Sequence, residues 1–140
     1  MNTISFFAAG LPKAQPRPRA FAMGGKARVY NPATAEGWKS AIAVAAQDHI
    51  PPVPLECPVV VSEIFLMPRP KRLMRKKDPD LRIPHTAKPD RDNLDKAVLD
   101  ALTTLGFWRD DSQVWSGTVS KMYHAKSEVP GAHIVIEWEL

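Results

Sequence analysis

The segment PDRDNLDKAVLDAL, residues 89–102, is the part of the chain around which the remaining sequence is organised. It places four aspartates and one lysine on the start of a strongly patterned helix. Clustered carboxylates repel one another, so they stabilise a protein little unless a cation lies between them. Magnesium prefers hard oxygen ligands and takes one or two protein carboxylates while keeping water and phosphate oxygens. The segment therefore predicts a magnesium site.

The spacing of apolar residues predicts a helix over residues 93–105. The apolar positions recur at steps of three and four and are Leu94, Ala97, Val98, Ala101, Leu102 and Leu105. Gly106 follows as a left-handed C-terminal stop. Asp92 is the predicted N-cap, and Asp95 stands at capping-box spacing from it. Lys96 then shares a helix face with Asp92, and Asp90 comes before the cap.

An acidic helix start also has a purely structural explanation. The helix dipole favours negative charge at this end, and Lys96 would then form an ordinary i,i+4 pair with Asp92. A cap needs only one aspartate, however, and a second carboxylate pair, Asp110 and Asp111, follows the helix. The chain after the helix is long enough to return towards Asp90. We therefore favour a shared carboxylate site over a simple cap.

Length and composition indicate one globular domain, residues 1–140, with 44% hydrophobic and 24% charged residues. No apolar run approaches the ~20 residues that span a bilayer, and the N-terminus lacks the pattern of a signal peptide. Cys57 is the single cysteine, which excludes an internal disulfide and fits a reducing compartment. We expect a cytoplasmic protein with no membrane partner.

Positive charge is concentrated in two segments. The formal net charge of +4 indicates an anionic partner such as nucleic acid. One segment lies near the N-terminus, and the other is the Pro-rich basic segment 68–89, which we predict to be a mobile loop. A solvated surface is the alternative for both. The predicted nucleic-acid contacts are Lys13, Arg17, Arg19, Arg69, Lys71, Arg72, Arg75, Lys76, Lys77 and Lys88.

Patterns along the chain predict an α+β fold. An earlier helix is expected to begin with Asn31 as its cap and Pro32 at its first position, and to run to about His49. The strand candidates are residues 4–9, a hairpin within 17–30, and residues 59–67, 113–124 and 132–140. The order is β-β-α-β-α-β-β, which predicts a small mixed β-sheet with two main helices packed on it.

Residues 89–114 resemble the RusA family of Holliday-junction resolvases, whose members occur in bacteria and prophages. The family pattern D-x-D-N-x-x-K is matched by residues 90–96, the element D-A-L by residues 100–102, and D-D-x-Q-V by residues 110–114. A weaker match covers the N-terminal stretch PKAQPRPR. The resemblance implies a small homodimer that cuts four-way DNA junctions symmetrically and uses Mg²⁺ or Mn²⁺.

The resemblance also implies roles for individual residues. The catalytic, metal-holding carboxylates of the family fall on Asp90, Asp92 and Asp111, and its essential lysine falls on Lys96. The motif positions Asp95, Asp100, Asp110 and Gln113 are left without an assigned role. The basic run that precedes the first aspartate in the well-known bacterial form is replaced here by residues 86–89, TAKP, so DNA contacts and cut-site preference there are not carried over.

The leading hypothesis is a Mg²⁺-dependent structure-selective endodeoxyribonuclease that resolves four-way junctions by symmetric phosphodiester hydrolysis. A junction has two strands to cut, which suits a two-fold dimer with two sites. One alternative is another Mg²⁺-dependent nuclease that acts on branched DNA. The other is a non-catalytic junction-binding protein, although a pure binder gains nothing from anionic side chains facing phosphates.

Overall fold

The computed structural model describes residues 1–16, 19–23, 26–30 and 35–139, and side chains are described outside 17–34. The helices of this part are α1 (Glu36–Ala46) and α2 (Arg91–Leu105). Its strands are β1 (Asn2–Ala9), β2 (Arg19–Met23), β3 (Lys26–Tyr30), β4 (Val59–Met67), β5 (Ile83–Pro84), β6 (Val114–Ser116), β7 (Val119–Tyr123) and β8 (Gly131–Trp138). No helix in the described ranges is both long and apolar enough to cross a membrane.

One mixed sheet of six strands has the order β1-β8-β4-β7-β5, with β6 also paired to β4. Strand β4 is antiparallel to β8 and parallel to both β6 and β7. The outer strands β1 and β5 are antiparallel to β8 and β7. Because parallel neighbours require a crossover connection, the chain must leave the sheet between β4 and β7, and α2 lies in that crossover. The predicted α+β class is confirmed.

The core lies between the helices and one face of the sheet. Successive side chains of a strand point to opposite faces, and the alternate residues Val59, Val61, Phe65 and Met67 of β4 are all buried. Five of the six residues of the predicted apolar stripe of α2 belong to the same buried cluster, together with three residues of α1: the set is Leu94, Ala97, Val98, Ala101, Leu102, Trp38, Ile42 and Ala46. The apolar periodicity of α2 therefore identified its packed face correctly.

The start of α2 differs from the prediction. The helix begins at Arg91 with Asp90 as its N-cap residue, two residues earlier than expected. The reason is that the backbone carbonyl of Asp90 already accepts a hydrogen bond from the Leu94 amide at 3.2 Å, so Asp92 belongs to the first turn. At the other end Gly106 has φ 91° and its amide reaches the last turn, as predicted.

The other element boundaries follow the prediction with local exceptions. α1 ends at Ala46 and continues as a short 3₁₀ helix, Gln47–His49, while its predicted cap at Asn31 and Pro32 lies outside the described residues. Residues 19–23 and 26–30 form the predicted hairpin. The short strand β5 was not predicted, and the strand expected over residues 113–124 is split into β6 and β7.

Gly117 lies where that strand is split. Its φ of 147° favours glycine, and a Cβ at this position would lie 1.7 Å from the carbonyl oxygen of Val61. β6 pairs with the first residues of β4, and β7 pairs with its second half. A close backbone approach at glycine thus lets the chain continue along the same edge of β4.

The basic segment 68–89 is attached to the body of the protein by side-chain contacts. It contains a 3₁₀ helix, Lys71–Leu73, and the strand β5, and its Arg82 forms a two-pronged ion pair with Glu128 at 2.7–3.2 Å. The Arg82 hydrogen bond lowers the pKa of Glu128 to about 2. The mobility of the segment stays a prediction, but its side chains bind other parts of the protein, which is not expected of a solvated linker.

Arg69 does not have the solvent-facing position expected of a nucleic-acid contact. It is 8% exposed, and its guanidinium donates to the backbone carbonyls of Leu73, Leu81, Pro79 and His124 at 2.7–3.3 Å. A planar group with five N–H donors suits such a convergence of carbonyls. Arg69 therefore organises the basic segment from inside and is removed from the predicted contact surface.

Arg69→Met is expected to lower the free energy of unfolding by about 1–3 kcal/mol, because it leaves buried carbonyl groups without donors. Urea unfolding measures this loss. The matched control Arg72→Met removes an exposed arginine of the same segment and should change stability by no more than about 0.5 kcal/mol. Equal effects of the two variants would contradict the assignment.

Candidate active site

The first turn of α2 brings Asp90, Asp92 and Lys96 to the surface. All three side chains are exposed, while Leu94 and Ala97 on the opposite face are buried. The backbone of Asp90 is extended (φ −73°, ψ 152°), and Asp92 stands in the first turn, where the helix dipole favours negative charge. Packing of one helix face thus leaves the polar face of the motif open to solvent and to a substrate.

Lys88 forms an ion pair with Asp90. Its Nζ lies 3.0 Å from both carboxylate oxygens, and both side chains are largely in solvent. Exposed ion pairs are worth only about 0–1 kcal/mol, so a more highly charged cation can displace the lysine at small cost. Lys88, predicted as a DNA contact, is therefore placed directly beside a predicted metal ligand.

Asp111 begins a 3₁₀ helix, Asp111–Gln113, between α2 and β6, and is exposed. This turn is fixed by Gln113, whose amide forms four hydrogen bonds. Its oxygen accepts from the backbone amides of Arg109 and Asp110 at 2.8 and 3.0 Å. Its nitrogen donates to the carbonyls of Leu55 and Cys57 at 2.8 and 3.0 Å. Gln113 therefore holds the turn of Asp111 against the segment that precedes β4.

Two motif aspartates have structural partners. Asp100 of α2 forms an ion pair with Lys39 of α1 at 2.6 Å, which joins the two helices. The Asp110 side chain accepts from the Ser112 amide at 2.9 Å as part of a capping box with Gln113. These hydrogen bonds lower the pKa of Asp110. Both residues support the site, and neither joins the exposed carboxylates at the start of α2.

The donor chemistry of the site fits a magnesium ion, since Asp90, Asp92 and Asp111 supply hard, exposed carboxylate oxygens. Among the described side chains, however, no three His, Cys, Asp or Glu residues are grouped so that they could hold one metal ion. Asp90 and Asp92 share the helix start, and Asp111 is carried by a separate turn. The three-ligand assignment stays a prediction.

Glu63 is a residue of this region that the sequence analysis missed. It lies on β4 among the inward residues that pack under α2, is 1% exposed, and finds no donor for either carboxylate oxygen within the described part of the chain. Burial raises the pKa of Glu63, and with the added effect of the adjacent Asp95 side chain this pKa reaches about 11. Two facing carboxyl groups satisfy each other only if one is protonated. Glu63 therefore carries a proton at neutral pH and donates it to Asp95.

The signal for Glu63 was its position in the strand. It is the single acidic residue of the apolar run VVVSEIFLM and has the same parity as Val61 and Phe65, so a strand assignment already places it on the inward face. A charged residue at such a position requires a partner or a proton. Its partner, Asp95, could be identified only from the packing of α2.

The predicted DNA contacts are distributed over two surfaces. Lys13 is exposed. The backbone amide of the nearby Gln15 donates a hydrogen bond to the backbone carbonyl of Asn93 at 3.0 Å, which places this N-terminal stretch beside the start of α2. Arg17 lies outside the described residues, and only the backbone of Arg19 is described. The exposed cations of the basic segment are Lys71, Arg72, Arg75, Lys76, Lys77 and Lys88.

A protein family described as “Endodeoxyribonuclease RusA” matches residues 9–137 of the chain. The match spans both helices, the six-stranded sheet apart from most of β1 and the last residue of β8, and all four residues predicted to be catalytic. The chain belongs to this family and is therefore an endodeoxyribonuclease by class.

Individual relatives agree with the family assignment. The chain is 36% identical over 141 residues to “Uncharacterized protein YqaN” of Bacillus subtilis (strain 168), covering 97% of this chain and 96% of that protein. It is 49% identical over 43 residues to “Crossover junction endodeoxyribonuclease RusA” of Escherichia coli (strain K12), which is 31% of this chain and 36% of that enzyme. The RusA protein of Enterobacteria phage 82 matches over the same length.

Gln113→Glu is expected to lower the free energy of unfolding by about 1–3 kcal/mol although it preserves the size of the side chain. The new oxygen would face the carbonyls of Leu55 and Cys57, which lose their donor. Urea unfolding measures the change, with Gln47→Glu in the exposed 3₁₀ helix after α1 as the control. A Gln113→Glu protein as stable as this control would contradict the role given to the amide.

The raised pKa of Glu63 predicts that the free energy of unfolding falls as pH rises. Because its pKa is raised from 4.5 to about 11 in the folded state, the folded protein holds one more proton than the unfolded chain between these values. The free energy of unfolding should decrease by up to about 1.4 kcal/mol per pH unit. The interval from pH 7 to pH 9 suits this measurement, because the pKa values of His85 and Asp110 are lowered and lie below it.

Denaturant unfolding at several pH values tests this slope. Glu63→Gln removes the titrating group while keeping a donor for Asp95, and should flatten the slope over pH 7–9. Glu36→Gln, which changes an exposed glutamate of α1, should retain the slope of the wild-type protein. A wild-type slope no steeper than that of Glu63→Gln would show that Glu63 is ionised in the folded state.

Proposed function

We propose that this chain is a Mg²⁺-dependent, structure-selective endodeoxyribonuclease that resolves four-way DNA junctions by symmetric phosphodiester hydrolysis. The observation that carries the proposal is the exposed polar face at the start of α2, in a chain that belongs to the RusA family. The Escherichia coli relative is named a crossover junction endodeoxyribonuclease, and this name supports the choice of substrate.

Asp90, Asp92 and Asp111 would hold the metal, with Mn²⁺ as a substitute for Mg²⁺. When bound, such an ion would polarise the scissile phosphate and activate a water molecule for attack. The remaining chemistry belongs to the side chains. Lys96, one turn after Asp92 on the same helix face, is suited to bind a non-bridging oxygen of the scissile phosphate and to stabilise the charge that develops there.

Binding of the DNA would depend on the two cationic surfaces. Lys13 and the exposed cations of the basic segment, together with a net charge of +4, favour contact with a phosphate backbone. Lys13 and Lys88 lie beside the acidic start of α2, so these cations offset the repulsion between the phosphates and the catalytic carboxylates. Arg69 is excluded from this surface because its guanidinium is committed to backbone carbonyls.

A homodimer completes the proposal. Symmetric cleavage requires two active sites related by a two-fold axis, and closed two-fold dimers are the commonest protein assemblies. The single Cys57 is free, which fits the reducing cytoplasm in which bacterial DNA is found. Whether Lys96 serves its own subunit or its partner is decided by the geometry of that dimer.

Two other functions are weighed against this one. A nuclease of broader specificity would use the same carboxylates but cut forks, flaps or duplex DNA as well as junctions. A junction-binding protein without activity would have no use for three exposed aspartates near the bound phosphates, since each adds repulsion. The carboxylate set therefore favours cleavage, and the range of substrates separates the two nucleases.

The test compares a mobile four-way junction with linear duplex of the same sequence, with and without Mg²⁺. The wild-type protein should nick the junction symmetrically and only with the metal. Asp92→Asn should abolish cleavage while junction binding persists, because it removes a metal ligand without adding bulk. Asp48→Asn, the same change at an exposed aspartate after α1, serves as the control and should cleave normally.

Each contrary result has a definite meaning. Cleavage of the duplex at a similar rate would indicate the broader nuclease. Tight junction binding without cleavage in Mg²⁺ or Mn²⁺ would indicate a binding protein. Full activity of Asp92→Asn would show that the site has been assigned to the wrong residues.

A further inference from the structure

Strand β7 borders the entry to α2 and contributes a lysine to it. Val119 and Tyr123 of β7 pack against the hydrophobic core, so Lys121, which has the same parity, points to the helix side of the sheet. Its ammonium group donates to the carbonyls of Ala87 and Pro89, the latter at 2.8 Å. The side chain is half-buried, and these contacts join residues more than thirty positions apart in sequence.

These two carbonyls belong to the peptides that lead directly to Asp90. The Pro89 carbonyl is part of the peptide plane that ends at the Asp90 Cα, so holding this oxygen restricts the direction in which the Asp90 side chain leaves the loop. Proline has no amide proton, so Pro89 itself can be held by hydrogen bonds only through its carbonyl. Lys121 therefore acts on the backbone immediately before a predicted metal ligand.

Other bonds from β7 secure the same region. The Lys121 carbonyl accepts from the His85 amide at 3.1 Å, and the Val119 carbonyl lies 3.4 Å from the Arg91 guanidinium. The chain is thus held to β7 at residues before and after Asp90. Lys121 and Arg91 both supply charge-assisted hydrogen bonds, which are roughly twice as strong as neutral ones, and the bond from Lys121 to Pro89 is the shorter, at 2.8 Å against 3.4 Å.

A direct contact between Lys121 and DNA is the competing explanation. An ammonium group has three N–H donors, and two of them are used on the carbonyls of Ala87 and Pro89. A lysine that binds phosphate needs a mobile, solvated head group, as the exposed lysines of the basic segment have. The arrangement therefore favours a role within the protein.

We propose that Lys121 is a positioning residue of the active site, which sets the orientation of Asp90 by binding the two carbonyls that precede it. The proposal rests on the proposed function for its kinetic consequence. Its structural consequence, a fixed start of α2, holds whatever the substrate is.

The kinetic test compares Lys121→Met and Lys121→Arg with wild-type protein on the four-way junction. Lys121→Met should lower kcat about ten- to hundredfold, because a displaced catalytic group costs rate in this range. KM and junction affinity should not change. Lys121→Arg keeps a cationic donor and should restore part of kcat. Lys126→Met, which removes a lysine–carbonyl bond to Arg75 elsewhere in the protein, should keep the wild-type kcat.

The salt dependence of junction binding separates positioning from DNA contact. A lysine that neutralises a phosphate contributes about one unit to the slope of log affinity against log salt. Lys121→Met should leave this slope unchanged. A slope reduced by about one, with weaker binding, would overturn the proposal and assign Lys121 to the DNA surface.

Hydrogen exchange of the free protein provides a readout that needs no activity. The Leu94 amide donates the first hydrogen bond of α2 to the Asp90 carbonyl, so its exchange reports the order of this turn. Lys121→Met should accelerate exchange at Leu94 and leave the β8 amides unchanged. Unchanged exchange at Leu94, or acceleration throughout the sheet, would overturn the proposal. Because this measurement uses no DNA, it remains decisive if the wild-type protein cleaves no junction.

Discussion

The contact between α2 and β4 is the interaction on which the remaining structure depends. The apolar stripe of α2 is buried against the inward residues of the central strand, and burial of such side chains contributes about 1.5–3 kcal/mol each. This packing fixes the rotation of the helix about its axis. Once the stripe faces the sheet, Asp92 and Lys96 must face solvent, so the hydrophobic pattern of the helix also orients its polar chemistry.

Two kinds of carboxyl group result from this packing. Asp90 and Asp92 are exposed to water at the start of the helix. Glu63, directly beneath the helix, is protected from water and keeps its proton. A neutral acid below the helix adds no negative charge to the carboxylates above it, which already repel one another. Burial of a protonated glutamate is thus compatible with an acidic site on the same helix.

The sequence predicted most of the fold because its strongest elements have clear periodicity. α2, β1, β4 and β8 were found where apolar spacing placed them. The cap of α2 was misassigned because two aspartates two positions apart are both good caps, and only the backbone hydrogen bonds distinguish them. The separation of β6 from β7 depends on the approach of Gly117 to the Val61 carbonyl, a contact that strand patterning does not contain.

The residues of the candidate site stay a prediction, and the contacts that support them were not predicted. Asp90, Asp92 and Lys96 are close together in sequence, so the helix pattern and the family resemblance were enough to propose them. Arg69 and Arg72 have the same chemistry and lie three positions apart, yet one is buried among carbonyls and the other is exposed. Lys121 and Glu63 acquire their partners only when β4, α2 and β7 come together, and such contacts between distant residues are not encoded in local periodicity.

The crossover between β4 and β7 has a consequence for the order in which the protein is made. Synthesis proceeds from the N-terminus, and domains acquire their structure as the chain emerges. Asp90 and Asp92 leave the ribosome before Asp111 and Lys121, which belong to the turn and strand that close the crossover. An incomplete chain therefore carries part of the acidic motif without the strand that holds the start of α2, and the motif is fixed in place only when the crossover has closed.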